Sequence, residues 1–375
     1  MKKTRTILLC LLAIMAAILN VKAQEVTITL HPGWTWISCP RTDTVDFSTA
    51  FGSFTPQTGD IIKSQWGTSI YKGNGQWRGT ISEFYPGYGY HYYSTRTVPV
   101  TVTFSVPNPQ SNVPTGAIDG IFSVSDTTTV YFSQGNLQYQ ASTDTWRFAE
   151  NQWDHVGSDN RYISPTYDGW IDLFGWATSG WDNGNTYYHP WDYSYSSGSQ
   201  YGHPGQSNLT GMYANADWGV YNPISNGGNT TNTWRTLLID EWSYVFNTRS
   251  TSSGIRYAKA QVNGTNGVIL LPDDWEAATY SLNNTNSSES TFDSNTISAT
   301  QWTILEGAGA VFFPAAGYRF GTSVGEIGLC GYYWSASYFN STYAYLTSIK
   351  ESYLTTNNAS NRCYGRSVRL VCPAR

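Results

Sequence analysis

The sequence predicts an α+β protein dominated by antiparallel sheet, with a small all-β module ahead of a larger domain. Short segments that alternate β-branched or aromatic residues with polar ones recur along the chain, and Gly and Pro interrupt them. Only two segments show helical periodicity. Aromatic residues make up 16% of the chain and charged residues 13%, so large cores can form while some Tyr and Trp must stay near the surface.

The first 23 residues predict a secretory signal peptide. A basic segment contains Lys2, Lys3 and Arg5, and an apolar run and a small-residue "VKA" site follow before Gln24. We therefore expect export through a cleavable signal and a secreted or cell-surface protein. No later run is apolar and long enough to span a bilayer, so we expect no integral membrane segment.

The charge of the exported chain argues against nucleic acid as a partner. Removing the signal takes away four basic residues and no acidic ones, which leaves 17 basic residues against 26 acidic ones and a net charge of −9. Binding to nucleic acid needs clustered Lys and Arg that displace counterions. We expect a protein or glycan ligand instead, because 16 Trp and 28 Tyr supply large contact areas.

The module at 24–106 is predicted from alternating strands at 26–30 and 98–104, with turn residues between them. Four of its pieces are "GWTWIS" (33–38), "GDIIKSQ" (59–65), "GNGQWRGTISEF" (73–84) and "YPGYGYHYYS" (85–94). With these pieces the module resembles a repeat common in exported proteins of Bacteroidetes-type bacteria, which implies an architecture and says little about function. A segment rich in Pro, Ser and Asn at 107–117 is predicted to be a linker.

The rest of the chain, 118–375, is predicted to be one domain with two helices and a prominent hairpin. One helix at 239–246 places Ile239, Trp242, Val245 and Phe246 on one face. The other begins at Ser298, has Gln301 three residues later as a capping box, and stops at Gly307. Residues 255–272 predict a hairpin that turns in "NGTNG". The Trp residues of this frame are expected in the core: Trp234, Trp242, Trp275, Trp302 and Trp334.

An ordered set of five motifs extends this interpretation. The motifs are "WRTLLIDEW" (234–242), "GVILLPDDW" (267–275), "AAGYR" (315–319), "GYYWSAS" (331–337) and "GRSVRLVC" (365–372). The set resembles the Fibrobacter major paralogous proteins, a family abundant in gut Bacteroidales within the C-type-lectin-like and formylglycine-generating-enzyme-like superfold. The resemblance implies a C-type-lectin-like domain, in which a twisted antiparallel sheet with two or more helices supports long loops, and a late loop region holds ligand.

The late segment at 338–364 is the predicted ligand-binding surface, because Tyr, Asn, Ser and Thr crowd it between two predicted core strands. Alternation in "YAYLTSI" places Ala344 and Leu346 toward the core and Tyr343, Tyr345, Thr347 and Ile349 on the other face. In some bacterial relatives of this fold, diversity-generating retroelements mutate the corresponding region. The alternative is ordinary divergence among paralogues, and both predict the same exposed surface. The predicted ligand-binding residues are Tyr338, Phe339, Asn340, Thr342, Tyr343, Tyr345, Lys350, Tyr353, Asn357, Asn358, Asn361, Arg362 and Tyr364.

No catalytic or metal-binding group is predicted, and no cofactor. Four cysteines remain after the signal, Cys39, Cys330, Cys363 and Cys372, with three possible pairings. None lies in a C-x-x-C spacing, and Cys372 lies in an apolar run typical of a core. The tripeptides with which lectins of this fold bind calcium are absent. The adjacent acids Asp273 and Asp274 are expected to cap a helix ahead of Trp275.

The sequence therefore predicts an exported, non-enzymatic ligand-binding protein, an adhesin or receptor-like molecule. The alternative is a structural subunit of a fimbria or of the cell envelope, for which concentration-dependent polymers would be evidence. A third hypothesis, an enzyme like the formylglycine-generating branch, would require a reactive cysteine pair, and we find no local sequence of that branch around Cys330 or Cys363.

Overall fold

The computed structural model describes residues 26–38, 44–52, 54–85, 88–104, 113–181, 185–192, 201 and 207–374. The predicted signal peptide, Cys39 and most of the predicted linker lie outside these residues. The chain divides into two compact units, Met1–Ser111 and Asn112–Arg375. Strand accounts for 35% of the residues and helix for 16%, so the fold is α+β and dominated by sheets. No helix among the described residues has the length and apolar character needed to cross a membrane.

The first unit consists of short strands and one helix. The strands are β1 (Val26–Leu30), β2 (Gly33–Ser38), β3 (Val45–Asp46), β4 (Ile61–Lys63), β5 (Thr68–Tyr71), β6 (Trp77–Gly79), β7 (Glu83–Phe84), β8 (Gly89–Ser94) and β9 (Val100–Phe104). Five of them form a sheet of order β2-β8-β4-β5-β6. The two strands that the sequence predicts at the ends of the unit, β1 and β9, pair antiparallel, and β3 pairs with β7. A short helix, α1 (Phe47–Phe51), interrupts the predicted all-β pattern, and Asp46 caps it.

The core of the first unit lies on one face of that sheet. Ile62, Tyr90 and Tyr92 alternate inward and are almost fully buried against Phe47 and Phe51 of α1. The Tyr92 hydroxyl donates a 2.5 Å hydrogen bond to the buried carboxylate of Asp60. These contacts explain why a module of this size keeps a packed interior despite its many Gly and polar residues.

The second unit contains short sheets around three buried clusters. The strands are β10 (Phe122–Ser123), β11 (Thr129–Phe132), β12 (Leu137–Gln140), β13 (Thr145–Phe148), β14 (Arg235–Thr236), β15 (Tyr257–Val262), β16 (Thr265–Leu270), β17 (Thr296–Ile297), β18 (Val311–Pro314), β19 (Tyr318–Phe320), β20 (Ser323–Gly325), β21 (Cys330–Tyr338), β22 (Tyr343–Lys350), β23 (Leu354–Asn361) and β24 (Leu370–Pro373). β11 pairs with β24 near the C-terminus, and β24 also pairs with β14.

The helices of the second unit are short; the last two match the predicted ones, and the first was not predicted. They are α2 (Trp218–Tyr221), α3 (Ile239–Ser243), which continues as a π turn at Tyr244–Thr248, and α4 (Ala299–Gly307). The predicted capping box of α4 is confirmed, because the Gln301 N–H donates to Ser298 Oγ and the Ser298 N–H donates to Gln301 Oε1. Short 3₁₀ turns occur at Ala141–Thr143, Gly157–Tyr162, Thr186–Tyr188, Gly211–Ala216 and Phe292–Ser294.

The predicted hairpin and the predicted tryptophan frame are confirmed. β15 and β16 pair antiparallel around Asn263 and Gly264, both at positive φ, which is the geometry that favours Asn-Gly. The buried face of α3 and its π turn is also as predicted, with Ile239 packed against the same cluster as the fully buried residues. The five tryptophans expected in the core are all at most 2% exposed: Trp234, Trp242, Trp275, Trp302 and Trp334.

The expectation that Asp273 and Asp274 cap a helix is wrong, since no helix follows them. Asp273 instead pairs with the buried guanidinium of Arg249 at 2.7 Å and accepts hydrogen bonds from the backbone N–H and hydroxyl of Ser123. The Arg249 guanidinium also packs on the Phe122 ring. The carboxylate therefore ties β10 to the segment after the π turn, a long-range role that local spacing does not show.

Candidate functional site

The predicted late loop is a three-stranded antiparallel sheet. β21, β22 and β23 pair in sequence order, with turns at 339–342 and 351–353. The prediction of a loop after Lys350 is therefore wrong, because Leu354–Asn361 forms a strand of eight residues. The candidate residues lie on strands and tight turns, which hold side chains more precisely than a long loop does.

β21 anchors this sheet in the core. It is buried from Cys330 to Ser337, and the Trp334 indole donates a 2.7 Å hydrogen bond to the Phe174 carbonyl. Trp176 donates in turn to the Ser335 carbonyl at 2.9 Å. Both partners come from the irregular stretch between 150 and 232, so that stretch supports the strand from which the candidate site projects.

The turn between β21 and β22 is organised by Asn340. Its side-chain carbonyl accepts hydrogen bonds from the backbone N–H groups of Thr342 and Tyr343, both at 2.9 Å. This is the Asx arrangement that Asn forms with its own backbone two residues on. Asn340 is half-buried, and its side-chain oxygen is committed to the turn. We therefore assign it a positioning role, in place of the ligand contact that the sequence predicts.

The exposed aromatic side chains cluster at this turn. Phe339 is 46% exposed and Tyr343 is 41% exposed, and the Phe339 ring packs edge-on against Tyr345 at 5.0 Å. The register places Asn361 opposite Tyr343 and Ala359 opposite Tyr345, so Asn361 shares their face. We call Phe339, Tyr343, Tyr345 and Asn361 the tip surface.

The inward residues of the first half of β22 are as predicted. Ala344 is 0% exposed and Leu346 is 1% exposed, and both join the main core cluster. The prediction fails after Leu346, where the register with β23 shifts. Thr347 and Ile349, expected to lie on the outward face, are fully buried. Only the first half of the strand therefore presents an outward face.

Arg362 does not belong to the displayed surface, although the sequence predicts it there. It is 1% exposed, and its guanidinium lies between the rings of Trp176 and Tyr338, at 4.6 and 4.8 Å. It donates hydrogen bonds to the carbonyls of Asn340 and Tyr343 and to a carbonyl at position 201 at 3.0 Å. Burial lowers the pKa of this guanidinium to about 10, so it stays charged at neutral pH and clamps the turn from beneath.

Two other candidate residues lie at the opposite end of β22. Lys350 ends the strand and sits 3.9 Å from the carboxylate of Glu326, with its ammonium 5.6 Å from the Tyr353 ring. Tyr343 begins the same eight-residue strand, so roughly 23 Å separates the two ends at about 3.3 Å per residue. Lys350 and Tyr353 therefore do not share a contact surface with the tip.

The remaining candidates divide between β23 and the framework. Asn357 is exposed, and its side-chain oxygen accepts a 2.9 Å hydrogen bond from the Thr355 hydroxyl. Asn358 lies opposite the buried Leu346 and donates to Ser348 Oγ at 2.9 Å, so it belongs to the inner side of the sheet. Thr342 is half-buried within the turn. Tyr364 stacks on Phe320 at 4.7 Å and is a framework residue.

The cysteines of this unit have no feature of a reactive thiol. Cys330, Cys363 and Cys372 form no disulfide, and all three are buried. Burial raises the pKa of Cys363 to about 11 and that of Cys372 to about 12, and it raises the pKa of Cys330 as well. A nucleophilic cysteine needs the opposite shift. Across the described part of the chain, no group of three or more His, Cys, Asp or Glu is arranged to hold a metal.

Sequence reasoning missed the residues that hold the site from a distance. The side-chain carbonyl of Asn208 accepts a 2.9 Å hydrogen bond from the backbone N–H of Tyr338, 130 residues away. The backbone N–H of Leu209 donates to the Ala336 carbonyl. No periodicity or motif marks these contacts, because they join an irregular segment to a strand.

No family model, curated protein or solved structure matches this chain.

Proposed function

We propose that this protein is an exported, non-enzymatic ligand-binding protein whose second unit is a C-type-lectin-like domain and whose tip surface contacts a protein or glycan. The observation that carries the proposal is the placement of two strongly exposed aromatic side chains, Phe339 and Tyr343, on a rigid hairpin turn. Tyr and Phe give large contact area with only two side-chain torsions to immobilise, so they bind at low entropic cost.

Rigidity beneath the tip surface supports this proposal. Asn340 fixes the turn from within, and Arg362 donates to turn carbonyls from below. Trp334 holds the preceding strand in the core. A surface that is already ordered loses little conformational freedom on binding, so more of its contact energy appears as affinity.

The chemistry around the sheet supports a binding role over catalysis. The thiols nearest to the candidate site are buried, and their pKa values are raised. The outward side chains of the tip surface are aromatic or amide groups, which bind through stacking and hydrogen bonds and do not transfer protons near neutral pH.

Arrays of glycans and of proteins probed with the chain from Gln24 onward test this proposal. A reproducible ligand is expected, and the double variant Phe339→Ser/Tyr343→Ser should lose at least tenfold in affinity for it, since two exposed aromatic contacts contribute about 1 kcal/mol each or more. Tyr353→Ser is the matched control, because Tyr353 is 36% exposed but lies at the far end of the sheet. Equal losses from both variants, or unchanged affinity in the double variant, would refute the assignment of the tip surface.

A further inference from the structure

The outer face of the five-stranded sheet in the first unit carries exposed aromatic side chains. The pairing register places Trp36 opposite His91, and His91 opposite Lys63, so three neighbouring strands present these side chains side by side. Trp34 lies two residues earlier on the same strand, opposite Tyr93. Trp36 is 74% exposed and Trp34 is 51% exposed, whereas the other face of the sheet forms the core.

Two adjoining cavities follow this row of side chains. One, of about 370 Å³, is lined by Trp34, Trp36, Lys63 and His91. The other, of about 490 Å³, shares the last three of these residues and extends past Gln65. Both volumes fall in the range of roughly 300–1,000 Å³ found for small-molecule sites. We call the two cavities together the tryptophan trough.

The trough carries a positive charge in an acidic protein. Lys63 is exposed, and its register partners His91 and Thr68 bear no negative charge. The register also places Arg78 on this outer face, through Ile70. No Asp or Glu lines either cavity, although acidic residues outnumber basic ones in the whole chain, 26 to 21. The local charge is therefore complementary to an anion.

The geometry points to a binding site for an acidic sugar unit of a polysaccharide, such as a uronate, in the tryptophan trough. The negative face of an indole ring attracts the weakly positive C–H bonds on one face of a pyranose. The Lys63 ammonium can meet the sugar carboxylate in a charge-assisted hydrogen bond. Gln65, exposed at the edge of the trough, offers an amide to sugar hydroxyl groups.

The charge of the trough favours an acidic sugar over single-stranded nucleic acid. Proteins that bind single strands follow the phosphate backbone with a continuous positive groove. Here one lysine lines the two cavities, and Arg78 lies two strands away from Lys63 across the sheet, about 10 Å at the usual strand spacing. One cation beside two indole rings suits one carboxylate and the sugar ring that bears it.

Calorimetry with hexagalacturonate and with its fully methyl-esterified form tests the proposal on the chain from Gln24 onward. The two ligands have the same rings, and each carboxylate of the first is an uncharged methyl ester in the second. We expect the ester to bind about tenfold more weakly, since a hydrogen bond to a charged group contributes that much or more. Lys63→Gln should bind both ligands with the weaker affinity, because it removes the group that senses the charge. Trp36→Ala should weaken both ligands by about tenfold.

Two variants of the same chain serve as controls for the trough. Lys72→Gln removes an equal charge from an exposed position of the same unit that does not line the trough, and it should bind like the parent. The variant Phe339→Ser/Tyr343→Ser should also bind hexagalacturonate like the parent, which separates this site from the tip surface. Absence of binding, or a Lys63→Gln variant that still distinguishes acid from ester, would overturn the proposal. Tighter binding of a thymidylate hexamer that depends on Lys63 would show a nucleic-acid site instead.

Discussion

The substitution Arg362→Met tests whether Arg362 supports the turn beneath the tip surface or contacts the ligand itself. Met keeps an unbranched apolar side chain between the rings of Trp176 and Tyr338, but it removes every hydrogen bond that the guanidinium donates. Those bonds go to three backbone carbonyls, at positions 201, 340 and 343. The substitution therefore tests the clamp without opening a large cavity.

The expected cost follows from these contacts. A hydrogen bond from a charged group contributes about 1.5–3 kcal/mol, and water can satisfy the two turn carbonyls after the substitution. The variant also avoids the cost of burying a cation, which the lowered pKa of Arg362 reports. The buried bond to the carbonyl at position 201 therefore sets a net loss of about 1.5–3 kcal/mol, and at about 2–4 °C per kcal/mol for a unit of this size the melting temperature should fall by roughly 3–12 °C.

Differential scanning calorimetry measures this shift directly. Arg161→Met is the matched control, because Arg161 also lies 4.6 Å from an aromatic ring, that of Tyr162, but on the exposed surface. It should change the melting temperature by less than about 2 °C, as surface substitutions usually do. If Arg362→Met melted like the parent while ligand affinity disappeared, Arg362 would be a ligand contact, and our assignment of it to the frame would be wrong.

Three further predictions concern single groups. Ser298→Ala removes the cap of α4 and should lower the free energy of unfolding by about 1 kcal/mol in chemical denaturation, whereas Ser298→Asp should keep most of it. Burial raises the pKa of Asp217 to about 6, above its unfolded value near 4, so the native state holds the proton longer. The contribution of Asp217 to the free energy of unfolding should fall by up to about 3 kcal/mol as pH rises from 4 to 6, and a pH-independent difference between the parent and Asp217→Asn would contradict this. Iodoacetamide at pH 8 should leave Cys330, Cys363 and Cys372 unmodified in the native protein and label them in urea, as read by mass spectrometry.

Local patterns in the sequence predicted the elements that local interactions determine. The capping box of α4 and the Asn-Gly turn of the β15–β16 hairpin need only residues within a few positions of each other. The apolar face of α3 and its π turn also follows from spacing alone. These features could be predicted because the residues that form each of them lie close together in the sequence.

The late strand was missed because its composition is typical of a loop. "LTTNNASN" contains three Asn in eight residues, and Asn is depleted in strands. It pairs nevertheless, because β22 offers it an edge along most of its length. The long-range ion pair of Asp273 and the burial of Arg362 were missed for a related reason. Charged side chains are usually exposed, and only the folded chain shows that Arg249 and the turn carbonyls are their partners.

The register shift in β22 determines how much of the late sheet can meet a ligand. Up to Leu346 the strand alternates strictly, with Tyr343 and Tyr345 outward and Ala344 inward. After the shift, Thr347 and Ile349 are buried, so both faces of the second half are covered. A β-bulge of this kind changes the direction of the side chains that follow it, and it can end the regular face of a strand. Variation that changes ligand choice without loss of folding is therefore expected at the turn and at the first outward positions of β22, and substitutions beyond Leu346 are expected to act on stability.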